Sequence, residues 1–353
     1  MTYQVTVEPT GDVVEVEDGQ TLLDAALRQG VWLPFACGHG TCGTCKVQVL
    51  EGYADAGDAS SFALMDSERD EGKLLACCCL PESDMVIEAD IDVDPDFQGL
   101  PVEDYQGKVV LIEDLSPTIK HIRLELDRPM AFQAGQYINL HVPSIDSTRA
   151  FSIANPPSMS GIVDLHVRKV EGGAGTTWLH EELQVGQSLD VSGPYGQFFV
   201  RKSDPQGAIF IAGGSGLSSP ESMIMDLLEQ GDTRPIYLFQ GARNKAELYH
   251  ADYFYQLAEK HDNFHYIPAL NAPLPEDAWE GFVGFVHEAV GQFFEQRCSG
   301  NKAYLCGPPP MIEAAISTLM QSRLFERDIH MEQFLTAADG ASGKVRSALF
   351  NRI

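Results

Sequence analysis

The sequence predicts a multi-domain chain: a small α+β module, then an antiparallel β-barrel, then an α/β domain with a parallel sheet. Three observations predict it. Three cysteines crowd into nine residues near the start, CGHGTCGTC, Cys37 to Cys45. The middle of the chain is a series of short alternating strands broken by Gly and Pro. From residue 208 onward, apolar strand-like runs alternate with helical patterns. A length of 353 residues suits two to three domains.

Residues 1–100 form the first expected domain. YQVTV and VVEVE alternate with period two and read as strands. TLLDAALRQG reads as a short amphipathic helix with Thr21 as N-cap, Asp24 three residues on, and Gly30 as its stop. The cysteine loop follows, then CKVQVLEG as another strand. Residues 89–107, ADIDVDPDFQGLPVEDYQG, are acidic, carry two prolines and lack periodicity, so they read as a linker.

The second expected domain, 101–205, holds KVVLIEDL, HIRLELD, QYINLHV, VDLHVRKV and SLDVSG, a spacing that suits a closed antiparallel barrel. In the third, 206–353, the runs AIFIAGG, IYLFQ, HYIPAL and KAYLCG are uniformly apolar, as strands buried on both faces are. Helical patterns such as ESMIMDLLEQG and MIEAAISTLMQ lie between them, the alternation of a parallel α/β sheet.

Charge narrows the functional classes. The formal net charge is −27, the wrong sign for a nucleic-acid partner. Residues 1–100 carry 20 acidic against 4 basic side chains, which suits steering toward a basic protein surface. No window approaches the roughly 18 apolar residues of a membrane span, so no membrane partner is expected. The N-terminus lacks the basic start and apolar core of a signal peptide, and a cytoplasmic location is the default. Eight cysteines are too few for a disulfide scaffold in a chain this long.

The cysteines are spaced C-x4-C-x2-C, with KLLACCCL further on. Zinc knuckles use paired C-x2-C units, and only one is present. A redox dithiol leaves Cys37 and a distant partner unexplained. A [2Fe–2S] cluster needs four thiolates, and three in a tight glycine loop plus one far away is the plant-type ferredoxin spacing. Gly38, Gly40 and Gly43 let the backbone approach closely. Chemistry alone leaves Cys77, Cys78 and Cys79 open as the fourth ligand.

TRAFSIANPP (148–157), LHVRKVEGGAGTTWL (165–179) and SGPYGQF (192–198) together suggest a dinucleotide site. Arg149 can clamp a phosphate, Phe151 can lie against a ring and Ser152 can hydrogen-bond a ring nitrogen. GGAGTT leads into a helix whose N-terminus suits an anion. IAGGSGLSSPESM (211–223) is a strand, a glycine turn and a helix, and YLCGPPPMIEA (304–314) repeats that arrangement with Cys306 at the tip. Both fall where open parallel sheets bind ligands, beyond the carboxyl ends of strands. The sequence contains no H-E-x-x-H, Walker-type or G-x-S-x-G motif.

With these motifs in place, the first section resembles the ferredoxin-like (β-grasp) domain of iron–sulfur flavoprotein reductases. The remainder resembles the flavin and nicotinamide halves of the ferredoxin–NADP reductase superfamily. The resemblance implies Cys37, Cys42, Cys45 and Cys77 as cluster ligands, Cys77 because Leu74-Leu75-Ala76-Cys77 looks like the closing motif. It implies an FAD site at Arg149, Phe151, Ser152, His166, Val167, Gly173 and Thr176. It also implies a nicotinamide site at Gly213, Gly214, Gly216, Cys306 and Gly307, with Glu332 and Phe334 of MEQF reaching back to the flavin. Ser152, Cys306 and Glu332 are then the expected catalytic residues. Phe151 replaces the commoner Tyr.

The order cluster, flavin, nicotinamide is similar to that of reductase components of soluble multicomponent monooxygenases, the phenol hydroxylase reductases above all. The family implies that electrons pass from NADH through FAD to the cluster and on to an oxygenase component. NADH yields two electrons together and the cluster accepts one, so the flavin must stand between them. Gln240-Gly241-Ala242-Arg243 lacks the acidic residue that would hold ribose hydroxyls, and Arg243 or Lys245 would suit a 2′-phosphate. The family resemblance favours NADH.

Overall fold

The computed structural model describes residues 1–92 and 94–334. Residues 335–353, the last part of the expected third domain, lie outside the described residues. The chain separates into two compact units, 1–103 and from Asp104 onward.

In the first unit β1 (Thr2–Glu8) and β2 (Asp12–Glu17) form a hairpin with Val5 opposite Val14. Alternation buries Val5, Val7, Val14 and Val16 completely beneath α1 (Leu22–Arg28). That helix starts where the Thr21 hydroxyl accepts from the Asp24 N–H at 3.4 Å, and it stops at Gly30, whose φ is +74°. Then come β3 (Lys46–Glu51), β4 (Ala54–Asp55), α2 (Asp66–Asp70), β5 (Lys73–Leu75), β6 (Leu80–Pro81) and β7 (Met85–Glu88). The sheet order is β2-β1-β7-β3-β5, with β1 and β7 parallel in an otherwise antiparallel set, as in a β-grasp fold.

The expected linker is not a free tether. The Val102 N–H donates to the Leu27 carbonyl at 3.0 Å, and a Cβ on Gly30 would lie 2.3 Å from the Gly99 carbonyl oxygen. The Phe97 ring stands edge-on to Trp32 at 6.0 Å. Isolated aromatic contacts leave no periodic trace, which is why the segment reads as irregular although it straps the first unit.

In the second unit β8 (Glu103–Ser116, whose first residue belongs to the first unit), β9 (Ile119–Leu126), β10 (Tyr137–Val142), β11 (Ser147–Ser152), β12 (Ile162–Arg168) and β13 (Ser188–Tyr195) form a six-stranded sheet. Its order is β11-β10-β13-β8-β9-β12, and an antiparallel bridge from Ile153 to Leu165 joins its two ends into a barrel. α3 (Ala174–Glu181) follows β12.

The parallel sheet is built from β14 (Gly207–Gly213), α4 (Ser218–Glu229), β15 (Ile236–Ala242), α5 (Ala251–Lys260), β16 (Phe264–Leu270), β17 (Phe282–Val283), α6 (Val286–Phe293), β18 (Asn301–Gly307), α7 (Pro309–Gln321) and β19 (Ile329–Gln333). Its order is β17-β16-β15-β14-β18-β19, and neighbouring strands run parallel. Every residue of β14 is buried. Phe210 and Ala212 join one apolar cluster while Ile209 and Ile211 join the other, so both faces are covered. Full burial of Phe210 alone contributes about 2–3 kcal/mol. Phe198 and Val200, which follow β13, pack into the same cluster as Phe210, and this shared core makes barrel and parallel sheet one compact unit.

Candidate functional site

Cys37, Cys42 and Cys45 lie in the loop between α1 and β3, and Cys77 lies just after β5, the strand that pairs with β3. This pairing brings the Cys45 and Cys77 sulfurs to 3.2 Å although 32 residues separate them. Gly38, Gly40 and Gly43 all hold φ between +71° and +77°, the left-handed conformation that lets the loop curl around its sulfurs. The His39 N–H points at the Cys37 sulfur at 3.5 Å. Burial opposes charge on Cys37, but the N–H of His39 and the hydroxyl and N–H of Thr41 outweigh it and bring the thiol down to about 6. A loop that stabilises thiolate sulfur with backbone N–H groups fits an iron–sulfur cluster.

The triple cysteine is sorted by its surroundings. Cys79 is fully buried, and its carbonyl accepts from Leu22 at the start of α1. The Cys78 sulfur sits 2.6 Å from where a Cβ on Gly40 would be, and 3.6 Å from the Cys77 sulfur. Among these three only Cys77 has its sulfur in hydrogen-bond contact with that of Cys45.

On the barrel, β11 carries Arg149, Phe151 and Ser152. Arg149 is exposed, and its guanidinium donates to the Ser147 hydroxyl and the Thr148 carbonyl. The first turn of α3 packs beside it: a Cβ on Gly175 would lie 3.8 Å from Arg149 Cγ. Gly173 is the N-cap of α3, and the Thr176 hydroxyl braces the turn by accepting from the Val170 N–H and donating to the Gly173 carbonyl. A guanidinium beside a helix N-terminus fits a pyrophosphate. Tyr137 and Tyr195 stack at 5.5 Å alongside.

The side chains of His166 and Val167 are taken up inside the second unit. Val167 is part of the barrel core, and its carbonyl accepts from His180 Nε2 at 2.8 Å. The His166 ring is buried against Tyr249, and burial lowers its pKa to about 4.

Glu332 on β19 is where barrel and parallel sheet meet. One carboxylate oxygen accepts from the Ser152 hydroxyl at 2.9 Å and from the Ser219 hydroxyl at 3.0 Å, with the Cys306 sulfur at 3.7 Å. Burial raises the pKa of Glu332 and pushes the Cys306 thiol well up, so Cys306 is a neutral S–H at physiological pH. Ser219 was inside the GGSGLSSP motif without being singled out. Its role depends on the fold, because α4, which carries it, follows β14, and β14 reaches β19 only across β18.

The glycine turn after β14 is tight for a reason. A Cβ on Gly216 would sit 2.4 Å from the Cys306 carbonyl oxygen, so only glycine lets this turn close on the end of β18. Gly214 holds φ +57°, with the Arg168 guanidinium 3.2 Å from its missing Cβ. Gly307 faces Gly213, and the Phe334 N–H donates to the Gly307 carbonyl at 3.0 Å. A cavity of about 290 Å³ opens here, lined by Gly213, Gly214, Arg168, Arg243, Asn271 and Phe285. Arg168, Asn271 and Phe285 are additions of the structure, since nothing in their local sequence marks them.

Comparison with known proteins agrees with this geometry. Residues 5–82 match the 2Fe-2S iron-sulfur cluster binding domain, 106–200 the oxidoreductase FAD-binding domain, and 210–316 the oxidoreductase NAD-binding domain. The phenol hydroxylase P5 protein of Acinetobacter pittii (strain PHEA-2) is 72% identical over all 353 residues, covering 100% of both chains. The phenol 2-monooxygenase reductase component DmpP of Pseudomonas sp. (strain CF600) is 68% identical over the same full span. The chain belongs to the phenol hydroxylase reductase family. Among solved structures, that of the Amycolatopsis reductase GcoB superposes on this reductase with a TM-score of 0.83 at 35% identity, covering 94% of this chain and 99% of that one. The reductase is thus an oxidoreductase with binding domains for NAD, FAD and a 2Fe-2S cluster. Among its described residues no helix is long and apolar enough to cross a membrane.

Proposed function

We propose that this reductase draws electrons from NADH and delivers them singly to the oxygenase component of a phenol hydroxylase, in the cytoplasm. The convergence of Ser152, Ser219 and Cys306 on Glu332 carries the reading, because it ties the flavin face of the barrel to the strand ends that receive a nicotinamide. When bound, FAD takes two electrons together from NADH and releases them one at a time to the cluster.

The chain's residues supply placement. Arg149 and the first turn of α3 would hold the FAD pyrophosphate, with Phe151 against the ring and Ser152 hydrogen-bonded to it. Gly173 and Thr176 would shape the phosphate turn, and His166 and Val167 would serve through their backbone. Gly213, Gly214 and Gly216 would admit the nicotinamide pyrophosphate, assisted by Arg168. Cys306 and Gly307 would face the nicotinamide, Glu332 would hold a proton beside it, and Phe334 would cover the flavin. Cys37, Cys42, Cys45 and Cys77 would bind the cluster. We read 1–100, 101–205 and 206–353 as the cluster, flavin and nucleotide domains.

Near the cluster loop, Phe62 is 96% exposed in a segment whose Ser60 N–H donates to the Gly40 carbonyl. Exposed Asp55, Asp58, Asp66 and Asp70 surround it in sequence. An apolar anchor with an acidic rim suits a basic face of the oxygenase.

The test is the visible spectrum under nitrogen before and after one equivalent of NADH, followed by reconstitution with purified oxygenases. Flavin and cluster bands that bleach, with turnover restored to a phenol hydroxylase, are the expected result. A protein untouched by NADH would overturn it. A second reading is the reductase of another diiron monooxygenase, one for methane, an alkene or toluene; reductase components of propane 2-monooxygenases, 33% identical in Rhodococcus jostii (strain RHA1), are the relatives that bear on it. Turnover with such an oxygenase and none with phenol hydroxylase would establish that reading instead. Comparing kcat/KM for NADH and NADPH tests the nucleotide.

A further inference from the structure

A cluster of titratable groups on the other side of the glycine turn plays no part in the electron path. His166 on β12, Glu221 in the first turn of α4 and His250 at the N-cap of α5 bring their ligand atoms within 4.8 Å of one another. One strand of the barrel and two helices that flank the parallel sheet thus contribute one side chain each. We propose that this trio is a binding site for a divalent transition-metal ion of the zinc type, which clamps the barrel to the parallel sheet behind the nucleotide turn.

Two imidazoles and a carboxylate are a suitable donor set, and water fills a fourth position. A tetrahedral site with bonds of about 2.1 Å wants donor atoms about 3.4 Å apart. Rotation of Glu221 and His250 supplies that closure, because both side chains still reach solvent at 13% and 27% exposure. The same exposure provides an entry path. His250 holds φ +59°, a left-handed conformation that is uncommon for a residue other than glycine or asparagine, and it aims Nδ1 at Glu221 Oε2 at 3.0 Å.

The buried member is prepared as a ligand. The Tyr249 hydroxyl donates to the Gly214 carbonyl at 3.1 Å, so it accepts from His166 Nδ1–H at 3.2 Å. That bond fixes the tautomer and leaves the Nε2 lone pair for a metal, the usual arrangement behind a metal-bound histidine. Burial keeps the His166 ring neutral, as ligation requires. Other polar groups around the trio include Tyr249, His121, whose ring centroid is 5.9 Å from that of His166, with its partner Asp164, and Tyr253, 6.2 Å from His250. Through Tyr249 the site touches Gly214, and an occupied site stiffens the turn that receives NADH.

The test is calorimetric titration of the fully loaded reductase with Zn²⁺ at pH 7.5, with the cluster's visible bands monitored to confirm that its cysteines are not exchanging metal. One zinc per chain, a raised Tm, and at least tenfold weaker binding in both His250→Asn and Glu221→Gln are expected. Asparagine tolerates the left-handed backbone, and neither side chain is fully buried, so both variants fold. No zinc uptake at micromolar concentration, or wild-type affinity retained in both variants, would show a hydrogen-bonded network only and overturn the proposal. Binding is read without electron transfer, so its failure is distinct from failure of the reductase activity.

Discussion

The Ser152 hydroxyl at the end of β11 and the Glu332 carboxylate on β19 are 180 residues apart in sequence and 2.9 Å apart in space. Ser219 and Cys306 point at the same oxygen. One half-buried carboxylate therefore accepts from both sheets of the second unit, and its surroundings set its proton affinity above that of an ordinary glutamate.

Replacing Glu332 by Gln keeps an acceptor for the two serines and removes the titrating group. Reduction of bound flavin by NADH, followed by stopped flow under nitrogen, is expected to slow by about tenfold to a hundredfold, with a smaller change in KM for NADH. The sign of the stability effect is opposite. A carboxyl whose folded pKa is raised favours the folded state at low pH and loses that contribution as pH rises through the folded value. The variant should therefore gain in Tm relative to wild type between pH 5 and pH 8. A Tm difference that does not change with pH would show that burial does not govern Glu332.

Cys77 and Cys78 separate cleanly by substitution. Cys77→Ser should lose most of its iron and the long-wavelength absorption of the cluster. Cys78→Ser should retain both, since its sulfur packs under Gly40. Iron per chain and the visible spectrum of each purified variant are the measurements. Equal loss in both would mean that the ligand set can slip by one residue.

What the sequence disclosed follows the range of the forces involved. The cluster loop was legible because its chemistry is local: three thiolates and three glycines within nine residues leave few alternatives. Barrel and parallel sheet were legible because burial on one face or two leaves periods that can be counted, as in VDLHVRKV against AIFIAGG. The strap at Phe97 reads as a linker because its hold on Trp32 and Leu27 depends on single contacts. Arg168 at the Gly214 turn and Ser219 at Glu332 leave no local sequence signal for the same reason, being brought to their places by strand order. His166 was assigned by resemblance to the flavin, and only burial against Tyr249 shows where its ring goes.

Asp164 anchors the barrel wall. Its carboxylate takes two bonds from Arg123, at 2.7 and 2.9 Å, and one from His121 at 2.8 Å. Burial opposes its charge, but these partners prevail and bring its pKa to about 2, while His121 is raised. Asp164→Asn leaves Arg123 underpaired and His121 with Glu113 alone, 3.1 Å away, and should cost about 3 kcal/mol. The pH dependence is two-sided. Asp164's contribution is complete above its ordinary value near 4 and falls as pH drops toward 2. His121's contribution is complete below its ordinary value of about 6.5 and falls as pH rises through its higher folded value. The Tm gap between wild type and variant should thus be widest near pH 5, and a gap that grows toward pH 8 would contradict the pairing.

Phe62 offers the sharpest test of how the cluster's neighbourhood is used. A phenyl ring left 96% exposed forgoes the hydrophobic gain it would make inside, and it lies in the segment whose Ser60 N–H bonds Gly40 of the cluster loop, a position we expect a partner to cover. Aromatic anchors of this kind typically account for one to two kcal/mol or more of binding, so Phe62→Ala should raise KM for the oxygenase by about tenfold. Met65, 55% exposed in the same segment, should show a smaller effect. Salt separates the apolar anchor from its acidic rim: steering by Asp58 and Asp66 weakens as the Debye length falls to about 3 Å near 1 M salt, whereas the ring's contribution persists. The expected pattern is a KM that rises with salt in wild type and variant alike, with the tenfold ratio between them preserved. A ratio that collapses to one at high salt would assign the docking to charge alone.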